Sequence, residues 1–177
     1  MSLRSALRAQ TADCHAKVDA HFGNFSLSDI RDYKAFLRAH ARAVPSIESA
    51  LERTGIIRLL PDWPERRRTS LLLADIAALN ELPPQPLLQP EFHDDASLWG
   101  ALYVLEGSKL GGAMLAKAVP DHLPSSYLSP QGPKGAMRVF MKRLDASGVD
   151  DIAGAVAAAR DVFALFLKAA QLELEAA

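Results

Sequence analysis

The sequence predicts an all-α protein, and three observations support this fold class. Apolar residues recur at the three-and-four spacing of helices, no run alternates apolar and polar residues like a half-buried strand, and segments rich in glycine or proline separate the periodic stretches. A chain of 177 residues lies within the usual size of one domain. We therefore expect residues 1–177 to form a single-domain helical bundle.

The first predicted helix follows Ser2, a good N-cap residue, and stops at Phe22-Gly23-Asn24. Its apolar stripe comprises Leu7, Thr11, Cys14, His15 and Val18. This spacing predicts that His15 points inward.

The next two helices have clear start signals. Ser26 and Asp29 resemble a capping box before a helix that Gly55 ends, and Pro45 should kink or break this helix near Val44. Asp62 and Pro64 open a third helix that runs to about Leu79. Its three consecutive arginines, 66–68, are typical of a solvated face. A proline-rich loop should cover residues 80–95.

The fourth predicted helix begins near Asp95 or Ser97 and is apolar on every side through Leu105, which is typical of a helix at the centre of a bundle. Residues 120–135 should form a second long loop, followed by a fifth helix to about Ala146. Asp150 or Asp151 caps a last helix whose apolar stripe runs through residues 152–170.

Three glycines, Gly107, Gly111 and Gly112, stand in the most buried helix, although each lowers helix stability by about 1 kcal/mol relative to alanine. Glycines four apart share one face, where a flat ligand or another backbone could approach closely, and the adjacent pair permits a bend. Tight packing between helices is the alternative reading. Phosphate-binding and nucleophile-elbow motifs are absent from this stretch of sequence.

Composition excludes several function classes. Apolar residues make up 49% and charged residues 23% of the chain, and the formal net charge of −1 argues against nucleic-acid or membrane-surface partners. The longest apolar run, residues 98–105, is far shorter than the ~20 residues of a membrane span. The N-terminus has no signal-peptide core, and the single cysteine, Cys14, cannot form an internal disulfide. We expect a cytoplasmic protein.

His15 is the strongest candidate for a metal ligand. Asp19 lies one turn later, where its carboxylate could orient a ligating imidazole, and Arg8 on the same face could meet an anionic edge of the ligand. A satisfied core histidine and surface ion pairs are the plain alternative. His40 fits a core or supporting role. The cations Lys134, Arg138 and Lys142 recur every four residues. They form either a solvent-exposed helix face or a second contact for an anionic group of the ligand.

Two segments resemble the heme oxygenases. Residues 7–15, LRAQTADCH, are similar to the first-helix pattern of that family, in which a threonine precedes the proximal histidine by four. Residues 98–112, LWGALYVLEGSKLGG, are similar to the distal helix of the bacterial enzymes that accompany phytochromes. The segments 33–37 and 132–140 follow in the expected order. The resemblance covers nearly the whole chain.

The resemblance implies a heme-oxygenase-type bundle with a glycine-kinked central distal helix. It implies that His15 is the proximal iron ligand, with Thr11 beside it and Asp19 as its orienting carboxylate. Gly107, Ser108, Gly111 and Gly112 would form the distal, catalytic face, and Arg8 with Arg138, Lys142 or Arg143 would hold the heme propionates. Mammalian members have an aspartate where this chain has Ser108, so the distal waters must be held differently.

The implied activity is cleavage of heme, as both substrate and cofactor, to biliverdin, carbon monoxide and iron. It requires molecular oxygen and an external electron donor, a redox protein or a reductant, and a phytochrome could receive the biliverdin. Two alternatives stay open. One is a diiron protein of similar scaffold, although the Glu-x-x-His pairs of such sites are absent from the sequence. The other is a heme-binding protein without catalysis.

Overall fold

The computed structural model describes residues 1–130 and 132–177, and within them every regular element is helical. This confirms the all-α prediction. Short 3₁₀ turns follow α3 and α6, at Ile56–Arg58 and Ala116–Ala118. The α-helices are α1 (Leu3–Gln10), α2 (Ala12–Phe22), α3 (Ile30–Arg53), α4 (Trp63–Arg66), α5 (Thr69–Ala78), α6 (Asp95–Leu115), α7 (Ala136–Asp145) and α8 (Ile152–Ala176).

Helices α6 and α8 cross at the centre of one shared hydrophobic core, and α3 packs on the other side of α8. Side chains cap both helices: Asp94 accepts from the N–H of Ser97 at the start of α6, and Asp151, one of the two predicted caps, accepts from the N–H of Gly154 at the start of α8. At the crossing, a Cβ on Gly100 would clash with the carbonyl of Ala155. Gly100, which was not among the predicted key glycines, therefore permits close contact between α6 and α8.

The first predicted helix is in fact two helices, separated at Thr11. The Thr11 hydroxyl donates to the Leu7 carbonyl at 2.7 Å, and its backbone leaves helical geometry with φ −123° and ψ 6°. A threonine hydroxyl that binds the preceding turn competes with regular helix geometry. Helix α2 then starts afresh, with the N–H of His15 donating to the Thr11 carbonyl at 2.9 Å.

Pro45 does not break α3, which runs unbroken from Ile30 to Arg53. The proline has no N–H to donate to the preceding turn, and a neighbouring segment binds the helix there. The N–H of Leu87 donates to the Arg42 carbonyl at 2.7 Å, and the Ser46 hydroxyl donates to the Leu87 carbonyl. The proline-rich segment before α6 is thereby fastened to α3.

The expectation of a solvated face at residues 66–68 was wrong for two of the three arginines. Arg66 and Arg68 are buried and only Arg67 is exposed. The predicted third helix is also divided, into α4 and α5. Glu48 explains the division, because its carboxylate accepts from the N–H groups of Arg68 and Thr69 and so caps α5 from a distant helix.

Buried carboxylates each have strong partners. Glu106 pairs with Arg66 and Lys109, and Glu173 at the end of α8 pairs with arginines of α3. Asp75 accepts from two backbone N–H groups of the loop before α7. Among the described residues, no helix combines the length and apolarity needed to cross a bilayer.

Candidate active site

A cavity of about 610 Å³ lies between α2, α6 and α8 and is open on one side. Its volume is typical of sites for organic ligands or cofactors. Aromatic and aliphatic side chains form most of its wall, and several charged and polar side chains interrupt it. It is lined by Arg8, Thr11, Ala12, His15, Val18, Asp19, Phe22, Phe36, His40, Arg68, Tyr103, Val104, Gly107, Ser108, Leu110, Gly111, Gly112, Leu115, Tyr127, Leu128, Met141, Phe163 and Phe166.

His15 lines the cavity from α2, although 64% of its side chain is exposed. The ring meets the edge of Phe163 at a centroid distance of 5.9 Å. Its Nδ1 lies 3.2 Å from Oδ2 of Asp19, one turn later. Because Asp19 occupies Nδ1, Nε2 is the nitrogen available to a metal, as in sites where a carboxylate orients a ligating imidazole. His15 therefore points toward this open cavity, and it is not buried in the core.

Gly107 and Gly111 present bare backbone to the cavity. A Cβ built on either glycine would meet nothing within 4 Å, so neither is required for packing between helices. Gly112 differs, since its Cβ would lie 3.5 Å from Cδ2 of Leu128. Helix α6 continues through all three, and the expected bend stays a prediction. The glycine face thus opens a slot opposite α2. Tight packing between helices does not require Gly112 either, because 3.5 Å is ordinary van der Waals contact and Leu128 lies in a loop.

Ser108 is held by an arginine that the sequence analysis assigned to solvent. Its hydroxyl donates to the Leu105 carbonyl at 2.7 Å and accepts from Nη2 of Arg68 at 2.7 Å. The Arg68 guanidinium carbon lies 4.7 Å from the ring centroid of Tyr127, a cation–π contact. A buried positive charge therefore stands in the cavity wall beside the glycine face.

His40 is enclosed by aromatic rings, with centroids 4.4 Å from Phe36, 4.7 Å from Phe22 and 5.2 Å from Tyr127. Burial lowers the pKa of His40 to about 4, and the nearby Arg68 charge acts in the same direction. Its Nδ1 lies 3.0 Å from the Phe36 carbonyl, which requires the proton on that nitrogen. His40 is thus a neutral imidazole with Nε2 as an acceptor.

Arg8 and Tyr103 also line the cavity. Burial raises the pKa of the Tyr103 phenol, while the positive charge of Arg8 opposes that rise. Tyr103 was not among the predicted site residues, yet its spacing of four from Gly107 places both on one face of α6. That periodicity is the signal that could have identified it.

Most of the predicted site residues meet at this cavity: Arg8, Thr11, His15, Asp19, Gly107, Ser108, Gly111 and Gly112. Arg138 and Lys142 are exposed on α7 and do not line it, whereas Met141 from the same helix does. Their contact with a ligand stays a prediction. For Arg68 the local sequence gave a misleading signal, because runs of arginine are usually solvated.

Comparison with known proteins identifies the family of the chain. No family model matches the chain. A protein named heme oxygenase from Xanthomonas campestris pv. campestris (strain 8004) is 30% identical over 148 residues, covering 78% of this chain and 88% of the relative. The structure of NO- and CO-bound heme oxygenase from Neisseria meningitidis superposes with a TM-score of 0.87 at 21% identity, covering 99% of this chain and 93% of the other. The chain therefore belongs to the heme oxygenase family.

Proposed function

We propose that this protein binds heme in the cavity through His15 and cleaves it, with oxygen and electrons, to biliverdin, carbon monoxide and iron. One observation carries the proposal: a histidine with a free Nε2 and a helix face where Gly107 and Gly111 expose bare backbone line the same cavity. A flat ligand with a metal at its centre would bind between them.

The residues present suit heme in three respects. The cavity has ample volume and a largely aromatic and aliphatic wall, as an apolar macrocycle requires. The backbone at Gly107 and Gly111 is open to close approach. Arg8 and the Tyr103 hydroxyl offer a cation and a donor for propionate carboxylates.

His15 would bind the iron through Nε2, and Asp19 would fix the orientation and tautomer of the ring through Nδ1. Thr11 supports this arrangement at the start of α2, because its carbonyl accepts the N–H of His15. A neutral imidazole ligand gives less push toward O–O cleavage than a thiolate. This property suits a reaction in which the heme ring itself is oxidised.

On the opposite side, the bare backbone of Gly107 and Gly111 would leave room for oxygen between the helix and bound heme. Ser108 and Arg68 form a fixed polar group there that could bind ordered water and so pass on protons. Bound heme supplies the redox-active iron and the ring that is opened. Oxygen and an external electron donor supply the other reactants.

We also propose which residues bind the second heme propionate and which partners the reaction requires. Arg138, Lys142 or Arg143 on α7 would reach the second propionate by a change of side-chain rotamer, since Met141 on the same helix already lines the cavity. We expect the reaction in the cytoplasm, with electrons from a redox protein or a small reductant. A phytochrome is the proposed acceptor of biliverdin, on the resemblance of residues 98–112.

Hemin titration followed by reductant under air tests the proposal. The wild type should form a 1:1 complex with a Soret band, which ascorbate should convert to the absorbance of a bile pigment. His15→Ala should keep its circular dichroism and lose this conversion. His21→Ala is the matched control, because His21 lies on the same helix and bonds to the Lys17 carbonyl outside the cavity.

Two outcomes would favour the alternatives. A stable Soret band that reductant and air leave unchanged would indicate a heme-binding protein without catalysis. Two nonheme irons per purified chain would indicate the diiron alternative. Among the described residues, no group of three or more His, Cys, Asp or Glu side chains is placed to hold a metal ion. Turnover retained by His15→Ala would remove His15 from its proposed role.

A further inference from the structure

Helix α2 carries His15, yet it is weakly anchored. It has no fully buried residue and no side-chain cap at its N-terminus. Only Cys14, Val18 and Phe22 pack part of their surface on the core. By contrast, α3 and α8 each bury ten or more residues. Apolar burial alone therefore holds the position of His15 less firmly than it holds the rest of the bundle.

Arg160 of α8 makes a specific polar link to this helix. Its Nη1 donates to the Gln10 carbonyl at 2.7 Å and to Oδ1 of Asp13 at 2.9 Å, and its Nη2 donates to Oδ2 of Asp13 at 3.0 Å. Gln10 ends α1, and Asp13 lies in the first turn of α2. One guanidinium thus joins three helices at the break beside Thr11.

The charges also suit the helix ends. A cation near the C-terminus of α1 and an anion near the N-terminus of α2 are both favoured by the helix dipoles. The fork of the guanidinium matches the carboxylate in a two-point contact, which fixes orientation as well as distance. Phe163, one turn after Arg160 on α8, touches the ring of His15. The fork and the ring contact together define how α2 lies on α8.

We propose that Arg160, through Asp13 and the Gln10 carbonyl, is the positioning residue that sets α2, and with it His15, against the cavity. The heme-directed part of this inference rests on the proposed function, whereas the anchoring of α2 does not. Arg160 does not line the cavity, so it acts only through α2.

Amide hydrogen exchange without hemin tests the anchoring. In Arg160→Met, amides of residues 12–22 should exchange about tenfold faster, while those of α3 and central α6 stay unchanged. Arg58→Met is the matched control, because Arg58 forms a similarly exposed two-point pair with Asp95, remote from α2. Equal exchange at residues 12–22 in the two variants would overturn the proposal.

The hemin complex tests the positioning. Arg160→Met should release hemin about three to ten times faster and shift or broaden the iron–histidine stretching band in the ferrous Raman spectrum. Arg160→Lys should rescue the exchange and the Raman band in part, because lysine keeps the charge and loses the fork. Asp13→Asn keeps the shape of the side chain and leaves the contact between Arg160 and the Gln10 carbonyl in place. It replaces Arg160→Met in both experiments if that variant does not fold.

The two proposals fail separately. Faster exchange of α2 with wild-type hemin release and an unaltered Raman band would show that Arg160 stabilises α2 without positioning His15, and would overturn the positioning claim. No hemin complex in the wild type, with faster exchange in Arg160→Met, would overturn the proposed function and leave the anchor standing.

Discussion

Nη1 of Arg66 and Oε2 of Glu106 lie 2.9 Å apart in the interior, with both side chains at least 96% buried. Glu106 also pairs with Nζ of Lys109 at 2.8 Å, and Arg66 also binds Asp62. Glu106 directly precedes Gly107 on α6. This ion cluster therefore fixes the part of α6 that carries the glycine face.

Replacing Glu106 by glutamine should destabilise the fold by about 3 kcal/mol, because Lys109 would lose its carboxylate partner and the buried Arg66 would keep only one, Asp62. Urea unfolding measures the loss. Glu65→Gln, at an exposed position of α4, should change the free energy of unfolding by less than about 0.5 kcal/mol. A loss in Glu106→Gln no larger than in this control would show that Asp62, not Glu106, balances the charge of Arg66.

This cluster shows why sequence reasoning succeeded for some features and failed for others. The glycine face and the Asp19 partner of His15 are local, since residues three or four apart on a helix must be neighbours. Glu106 lies 40 residues from Arg66, and Glu48 lies 20 residues from Arg68. No helical period connects such pairs, so the sequence predicted a solvated face that included two arginines which are in fact buried.

The division at Thr11 illustrates a different difficulty. An apolar stripe continues across the break, so the periodicity predicted one helix. At the break, the Thr11 hydroxyl binds the Leu7 carbonyl, and Arg160 binds the carbonyl of Gln10, 150 residues away in sequence. Gly100 was overlooked for a similar reason, since only the position of Ala155 in α8 makes its missing Cβ matter. Tertiary contacts decide features that local propensity leaves open.

Alanine at Gly107 or Gly111 should raise the stability of the hemin-free protein and weaken its binding of hemin. Gly107→Ala and Gly111→Ala should each stabilise the hemin-free protein by up to about 1 kcal/mol, because helix propensity rises and nothing lies within 4 Å of the new methyl group. The same methyl should weaken hemin binding by about 1–3 kcal/mol by filling the slot. Thermal unfolding and hemin titration measure the two effects.

Gly100→Ala is the control for this pair, since its methyl would clash with the Ala155 carbonyl and should destabilise the fold by about 1–3 kcal/mol. If Gly107→Ala and Gly111→Ala both destabilised the hemin-free protein, the glycines would be needed for the backbone itself. The reading of that face as a ligand slot would then lose its support.

His40 should make the fold sensitive to acid. Its pKa in the folded protein is about 4, because burial disfavours the cation, and the ordinary value is 6.5. Between pH 6.5 and pH 4 the unfolded chain therefore binds the proton more readily, so stability falls as the pH falls. From pH 7 to pH 5 this single group should remove about 2 kcal/mol.

Urea unfolding of the wild type and His40→Phe at pH 7 and pH 5 isolates this effect. Carboxylates contribute equally to both proteins, so the wild type should lose about 2 kcal/mol more than the variant over that range. Phenylalanine keeps a ring against Phe22 and Phe36. Identical losses in the two proteins would mean that His40 becomes protonated in the folded state without penalty.

Ser108 should contribute both to stability and to the chemistry of the cavity. Ser108→Ala removes the nearer acceptor of a buried guanidinium and leaves Nη2 of Arg68 only the Leu105 carbonyl at 3.4 Å, so we expect a loss of about 1 kcal/mol. Ser70→Ala, at an exposed position of α5, should be nearly neutral. In the hemin complex, loss of the hydroxyl should slow bile-pigment formation while hemin still binds, because His15 and the glycine face are unchanged. Wild-type turnover in Ser108→Ala would show that the Arg68 guanidinium alone, or water that replaces the hydroxyl, suffices to organise this side of the cavity.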